Sequence, residues 1–187
     1  MDRQMNEQAI VRRCLEGDTE SFRRIVSDHE GPLMAAAVTI LGNRQEAEDL
    51  CQETFIQAYR HLASFDGGRN LRAWLYTILY RRCLNSIRRR RRLVGVLDRL
   101  RAEPLSPWVP SRDPGPGDPS PLPAVLFEAL NAKERTVLSL WVNEGFTAVE
   151  IAAILGCPQG TARYYLFNIR KKIRALAEKK HENLPKR

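Results

Sequence analysis

The chain has 187 residues, 43% hydrophobic and 28% charged, with a formal charge of +8 and a pI near 9.7. That length carries one ordinary domain or two small ones, and a basic balance points to a polyanionic partner without naming it. No run of about 18 apolar residues is present, and the charged start MDRQMNEQAIVRRCLEGD does not read as a signal peptide, so no membrane insertion and a cytoplasmic location are expected.

In chain order, a first helix is expected from about Asn6 to Glu16, stopped by Gly17. Asp18 can cap a second, where Phe22, Ile25 and Val26 begin an apolar face that resumes at Leu33, Ala37 and Ile40 and ends at Gly42. Asn43 with Glu46 reads as a capping box that opens a third helix. Its inner face is Ala47, Leu50, Cys51, Thr54, Phe55, Ala58, Tyr59 and Leu62, at helical spacing. Its outer face carries Glu46, Asp49, Gln52, Glu53 and Gln57, with Ile56 among them. An acidic face with an apolar residue in it suits a basic protein partner.

Asp66-Gly67-Gly68 reads as a loop, and a fourth helix starts near Asn70 and runs through Trp74 and Ile78 toward the five arginines Arg88 to Arg92. Between Gly67 and Leu97 there is no carboxylate, while Arg69, Arg72, Arg81, Arg82 and the Arg run are interleaved with Trp74, Tyr76 and Tyr80. Arginine neutralises phosphate and aromatic faces stack on unpaired bases, so this segment suggests a single-strand platform; the alternative is that Trp74 and the tyrosines are core residues and the Arg run a solvated tail. Eight of the 11 prolines then lie between Pro104 and Pro123, a stretch that cannot form a helix. It divides the chain into residues 1–100, a linker at 101–123 and residues 124–187.

Charge tracks this division. Residues 1–66 hold 7 Lys/Arg against 12 Asp/Glu, residues 67–100 hold 10 against 1, and residues 124–187 hold 11 against 6. An acidic segment thus precedes two basic ones, a division that one kind of partner need not satisfy.

The last segment offers a helix capped by Asn131 with Glu134, then a helix-turn-helix from Thr147 to Leu176. Thr147 and Glu150 form a second capping box, Gly156 allows the left-handed backbone that ends a helix, and Pro158 and Gly160 break the chain before the next one. In that last helix Ala162, Leu166, Ile169, Ile173 and Leu176 form one apolar face. The opposite face carries Arg163, Tyr164, Asn168, Arg170, Lys171 and Arg174, as a helix that enters a major groove requires. Neither side of the linker shows strand alternation. The expected fold is all-α, an N-terminal helical bundle and a C-terminal helix-turn-helix domain joined by a Pro-rich linker.

Nothing calls for catalysis. Cys14, Cys51, Cys83 and Cys157 lack CxxC spacing and make no ligand set with His29, His61 and His181, and there is no GxGxxG or GxxxxGK[ST] loop. The expectation is therefore no enzyme, no metal and no cofactor. A stand-alone helix-turn-helix regulator is the rival reading, but it needs neither the acidic helix face nor the aromatic–arginine segment.

The segments GDTESF (Gly17–Phe22), AEDLCQETF (Ala47–Phe55), LRAWLY (Leu71–Tyr76), the Arg run and EIAAILGCPQGTARYYL (Glu150–Leu166) together resemble bacterial sigma factors of the small extracytoplasmic-function type, in the expected order. The resemblance implies region 2 up to about Arg92 and region 4 from about Leu122. It implies that Asp49, Gln52 and Glu53 dock on the β′ clamp helices of core RNA polymerase, and that the β flap is a further contact. It assigns Asp66, Gly67, Arg69, Asn70 and Leu71 to the loop that takes a flipped base of the −10 element, with Trp74, Tyr80, Arg81, Arg88 and Arg89 along the melted strand. It assigns Thr161, Arg163, Tyr164, Tyr165, Asn168 and Lys171 to −35 promoter DNA. An anti-sigma factor is a partner it leaves open. The chain departs from common relatives at Arg81 and Asn85, and at Tyr164, Tyr165 and Asn168, where aromatics and an Asn favour thymine-methyl and adenine contacts over guanine.

Overall fold

A computed structural model describes residues 2–66, 70–100 and 123–182, and these form helices with no strand among them. The chain divides into two compact units, residues 1–113 and 114–187.

In the first unit, α1 (Asp2–Leu15) leads through Gly17 to Asp18, whose carboxylate caps α2 (Thr19–Leu41) by accepting from the Glu20 and Ser21 N–H groups at 3.0 and 3.2 Å. The Ser21 hydroxyl donates to the same carboxylate, and with Arg13 nearby it holds Asp18 below the ordinary carboxylate range. The two apolar stretches seen in the sequence are one helix, with Pro32 inside it on the exposed side. Pro32 has no N–H to offer the carbonyl one turn earlier, and placing that gap toward solvent leaves the carbonyl accessible to water. Gly42 ends α2 in the left-handed conformation, φ 69°.

α3 (Arg44–Arg60) is capped by Asn43, which accepts from the Glu46 N–H at 2.8 Å. The expected capping box is only half formed. The Glu46 carboxylate turns away from the cap to accept from Ser86 and, at 2.6 Å, from Arg90 on α4 (Leu71–Leu100), because a cation and a hydroxyl hold it more strongly than one backbone N–H. A 3₁₀ turn at Leu62–Ser64 connects α3 to the loop before α4. Glu46 pairs with the later part of α4, whereas Glu53 and Gln57 pair with the earlier Arg82, so the two helices run antiparallel. Ala47, Cys51, Thr54, Phe55 and Ala58 are buried as expected. Tyr59 is not: it is 49% exposed and lies edge-on against Phe22, ring centroids 4.9 Å apart, because it falls on the rim of the inner face. The core is closed by Leu33, Leu71, Leu75, Tyr76 and Leu79, each 2% exposed or less.

The second unit begins with a short helix that the sequence reading does not include, α5 (Ala124–Ala129). Arg135 closes its end by donating to the Phe127 and Leu130 carbonyls at 3.2 and 2.6 Å while its guanidinium lies over the Phe127 ring. α6 (Ala132–Leu138) has the expected capping box of Asn131 and Glu134. It passes into a π-helical turn, Ser139–Asn143, which helical spacing alone does not announce. α7 (Ala148–Leu155) opens on the Thr147–Glu150 box and ends at Gly156, φ 63°. A Cβ at Gly156 would meet nothing within 4 Å, so the backbone conformation, not space, demands glycine there. α8 (Gln159–Glu182) starts directly after Pro158, with Gly160 inside its first turn, not before the helix as the sequence suggested. The Pro158 carbonyl accepts from Thr161 and Ala162, so Pro158 starts the helix and Gly160 does not delay it.

Candidate nucleic-acid and protein-docking surfaces

On α3, Asp49 and Gln52 are exposed and Ile56 is 51% exposed, three residues at helical spacing on one outward stripe. Glu53 lies at the edge of that stripe and does not stand alone. Arg82 of α4 donates to its carboxylate and, through the other terminal nitrogen, to the Gln57 amide oxygen at 2.7 Å. Three groups of the expected acidic face, Glu46, Glu53 and Gln57, therefore face arginines of the same unit. The sequence showed the charges but not that α4 would supply their counterions.

On α4, Trp74, Ile78, Arg81, Asn85, Arg88 and Arg92 recur every four and three residues and form one outer stripe, half-buried at Trp74 and Ile78 and exposed from Arg81 onward. Arg89 is also exposed. Trp74 leans on Phe65, centroids 5.2 Å apart, so one side of its indole is covered. Asp66 and Asn70 are exposed at the loop, and the Asn70 side chain caps α4 by accepting from the Ala73 N–H at 3.2 Å. Gly67 and Arg69 lie outside the described residues. Leu71, Tyr80 and the platform residue Tyr76, which is 2% exposed, are core residues instead. Leu71 is 1% exposed and Tyr80 is 7% exposed, because they fall on the same inner side as Leu75, Leu79 and Cys83. None of the three offers a face to a base.

On α8, Ala162, Leu166 and Ile169 are buried, as the apolar spacing predicts, while Ile173 and Leu176 further along the same face are half-buried. Arg163, Tyr164, Arg170, Lys171 and Arg174 are exposed, and Tyr164 is 62% exposed. Thr161, Tyr165 and Asn168 are half-buried, at the margins of that face. The residue sequence reasoning missed is Phe167, 65% exposed. It is four residues from Arg163 and Lys171 and three from Tyr164 and Arg170, which puts it at the middle of the outward face; the spacing was legible, but an aromatic there reads as core by default. Arg170 lies over the Trp141 ring at 4.7 Å, which fixes one edge of the face. Lys172 is not part of it: its ammonium donates to the Glu134 carboxylate and to the Ala129 carbonyl.

No described helix is long and apolar enough to cross a membrane, and no group of three His, Cys, Asp or Glu side chains among the described residues is placed to hold a metal ion.

Two helical units, one with a helix of outward acids beside a helix of outward arginines and the other a helix-turn-helix with a basic aromatic face, define a DNA-binding protein that also has a surface for a protein partner. Residues 25–93 match the Sigma-70 region 2 family and residues 125–173 match Sigma-70 region 4. The chain is 35% identical over 162 residues to the ECF RNA polymerase sigma factor EcfG of Rhodopseudomonas palustris, covering 84% of this chain and 86% of that one. It is 31% identical over 182 residues to the sigma-E factor of Haemophilus influenzae, covering 92% and 96%. Among solved structures it is similar to the Bartonella quintana sigma factor RpoE, crystallised with the anti-sigma factor NepR, with a TM-score of 0.66, 27% identity and coverage of 85% and 98%. It shares its fold with CnrH, whose structure contains the cytosolic domain of CnrY, with a TM-score of 0.67, 24% identity and coverage of 92% and 97%. The chain belongs to the sigma-70 family, as an RNA polymerase sigma factor of the extracytoplasmic-function type. The rival reading as a stand-alone regulator leaves the region 2 match unexplained.

Proposed function

We propose that this sigma factor directs core RNA polymerase to its promoters through two surfaces on separate units, and helps to open them. In this reading residues 1–100 bind core enzyme and hold the −10 element, residues 101–123 are the linker, and residues 124–187 read the −35 element. The observation that carries the DNA reading is the outward face of α8, where Arg163, Tyr164, Phe167 and Lys171 are exposed while Ala162, Leu166 and Ile169 anchor the helix from behind. A helix with one side fixed in the core and donors and aromatics on the other can enter a major groove without losing its packing.

The other roles rest on exposure and chemistry. Asp49, Gln52, Ile56 and Glu53 make the stripe on α3 that meets the clamp helices of the β′ subunit; acids set register and on-rate, and Ile56 supplies buried area. Arg81, Arg88, Arg89 and Arg92 on α4 neutralise phosphates of the promoter, and the open side of Trp74 stacks on the melted strand next to Asp66 and Asn70. No chemistry is asked of the chain itself, since polymerase supplies it, and the protein works in the cytoplasm. An anti-sigma factor is the further partner; the support is that the similar Bartonella quintana chain is bound to one.

The test is reconstitution. The purified chain, mixed with core polymerase and a promoter library randomised at −35 and −10, is expected to select a two-part promoter and to yield transcripts from it. Failure to co-purify with core polymerase would overturn the reading, as would an Asp49→Arg variant that binds core polymerase as tightly as the parent.

A further inference from the structure

Arg82 stands at the seam between the two surfaces of the first unit. One terminal nitrogen donates to the Glu53 carboxylate and the other to the Gln57 amide oxygen at 2.7 Å. Glu53 and Gln57 are four residues apart on α3, one above the other on one face. A planar guanidinium that gives one nitrogen to each fixes two long side chains in a single arrangement, as an ammonium on a flexible stem cannot. The Arg82 side chain is 26% exposed and that of Glu53 is 52% exposed, so the inward side of the carboxylate is held while the outward side stays open beside Gln52 and Ile56. Its neighbour Arg81 points the other way, onto the outer stripe of α4.

The second seam, Arg90 with Ser86 on Glu46, differs. Both partners of the ion pair there are 25% exposed at the side chain, and Glu46 sits in the first turn of α3. That contact joins helix to helix. The Arg82 contact also crosses from α4 to α3, but the carboxylate it orders, Glu53, still faces outward.

We propose that Arg82 is a positioning residue for polymerase docking: it holds Glu53 and Gln57 in the orientation that core polymerase meets, and itself contacts neither polymerase nor DNA. The inference rests on the reading of the α3 stripe as the docking surface. The physical ground is that long side chains lose rotamer freedom on binding, and a surface ordered beforehand avoids that loss at the moment of association. Glu53 is 52% exposed, so water screens its pair with the half-buried Arg82 and the pair contributes modestly to folding stability; the thermal midpoint of each variant separates that share from the loss in binding.

The experiment uses the full chain with Arg82→Met, which keeps the stem and removes the fork, Arg82→Lys, Glu53→Gln, and the double variant Arg82→Met with Glu53→Gln. Affinity for core polymerase and the thermal midpoint by circular dichroism are measured for each. Arg82→Met is expected to weaken core binding by about three- to tenfold at an unchanged helical signal, with Arg82→Lys between it and the parent. In the Glu53→Gln background the same change is expected to cost less than half as much on a logarithmic scale, since the carboxylate it orients is gone. Core binding by Arg82→Met as tight as the parent's or tighter, while Glu53→Gln weakens it, overturns the positioning role alone. Equal losses in both backgrounds also overturn it, by making Arg82 a contact in its own right. Binding untouched by Glu53→Gln overturns the docking reading beneath it.

Discussion

The ammonium of Lys172 on α8 lies 2.7 Å from the carboxylate of Glu134 on α6, a group only 4% exposed. The same carboxylate oxygen accepts from the Asn131 N–H at 2.9 Å, and Lys172 also donates to the Ala129 carbonyl at 3.1 Å. One side chain therefore closes the start of α6 and fastens α8 to it. Glu134→Ala removes both and is expected to destabilise the second unit by about 2–4 kcal/mol, somewhat below the cost of breaking a fully buried pair because Lys172 can still reach water. Glu134→Gln, which retains an acceptor for the cap, is expected to lose less. Urea unfolding of the full chain gives both values, and a loss below about 0.5 kcal/mol in Glu134→Ala contradicts the account.

The burial of Tyr80 separates it from its neighbour Arg81. Tyr80→Ala empties core volume and is expected to lower stability by about 3–5 kcal/mol, in the range of large aromatic truncations. Arg81→Ala is expected to leave stability within about 0.5 kcal/mol of the parent and to reduce permanganate reactivity of promoter thymines in the polymerase complex. A premelted template should restore binding to Arg81→Ala. If it does not, strand capture is the wrong role for that arginine.

Phe167 and Arg174 are both on the outward face of α8 but differ in what they can read. An aromatic ring can meet a thymine methyl group, whereas a guanidinium two turns further on is placed for phosphate. Phe167→Ala and Tyr164→Ala are expected to change the −35 sequence selected from a random library. Arg174→Ala should weaken all sequences alike and reduce the salt slope by about one. The reverse pattern would mean that a different side of α8 faces the bases.

The thiols give a chemical check on the first unit. Burial, with Glu30 nearby, pushes Cys51 up to about 11, and burial, with Glu46 and Cys51 nearby, pushes Cys83 up to about 12. Burial, with Asp18 nearby, raises Cys14 as well. At pH 8 these thiols hold their protons, and maleimide is expected to label the half-buried Cys157 first, with the other three reacting only in denaturant. The unfolded chain loses thiol protons above about pH 9 while the native state retains them, so the stability these raised values contribute is present below that pH and lost as pH climbs past it. Rapid native labelling of Cys83 would contradict its placement.

Helix caps and apolar spacing were legible because they are local. Asp18, Asn131 and Thr147 cap as their sequences require, and the buried side of α8 comes from spacing alone. What failed was decided between helices. Asn43 and Glu46 have the sequence of a capping box, yet Arg90, 44 residues away, takes the carboxylate. Tyr80 reads as an aromatic in a basic run, and only the packing of α4 against α2 and α3 turns it inward. Phe167 shows the opposite case: its spacing from Arg163, Tyr164, Arg170 and Lys171 places it outside, yet its aromatic type reads as core.

The π-helical turn at Ser139–Asn143 has one more residue than an α-helical turn needs, and the chain folds back after it so that the Phe146 N–H donates to the Leu140 carbonyl at 2.9 Å. A single-residue deletion or insertion in this stretch rotates the downstream residues by about 100° about the helix axis, and Phe146, now 1% exposed, is the first to be carried out of the core. Chain length there is thus as constrained as residue identity. Divergent copies of this unit should accumulate substitutions between α6 and α7 far more readily than gaps.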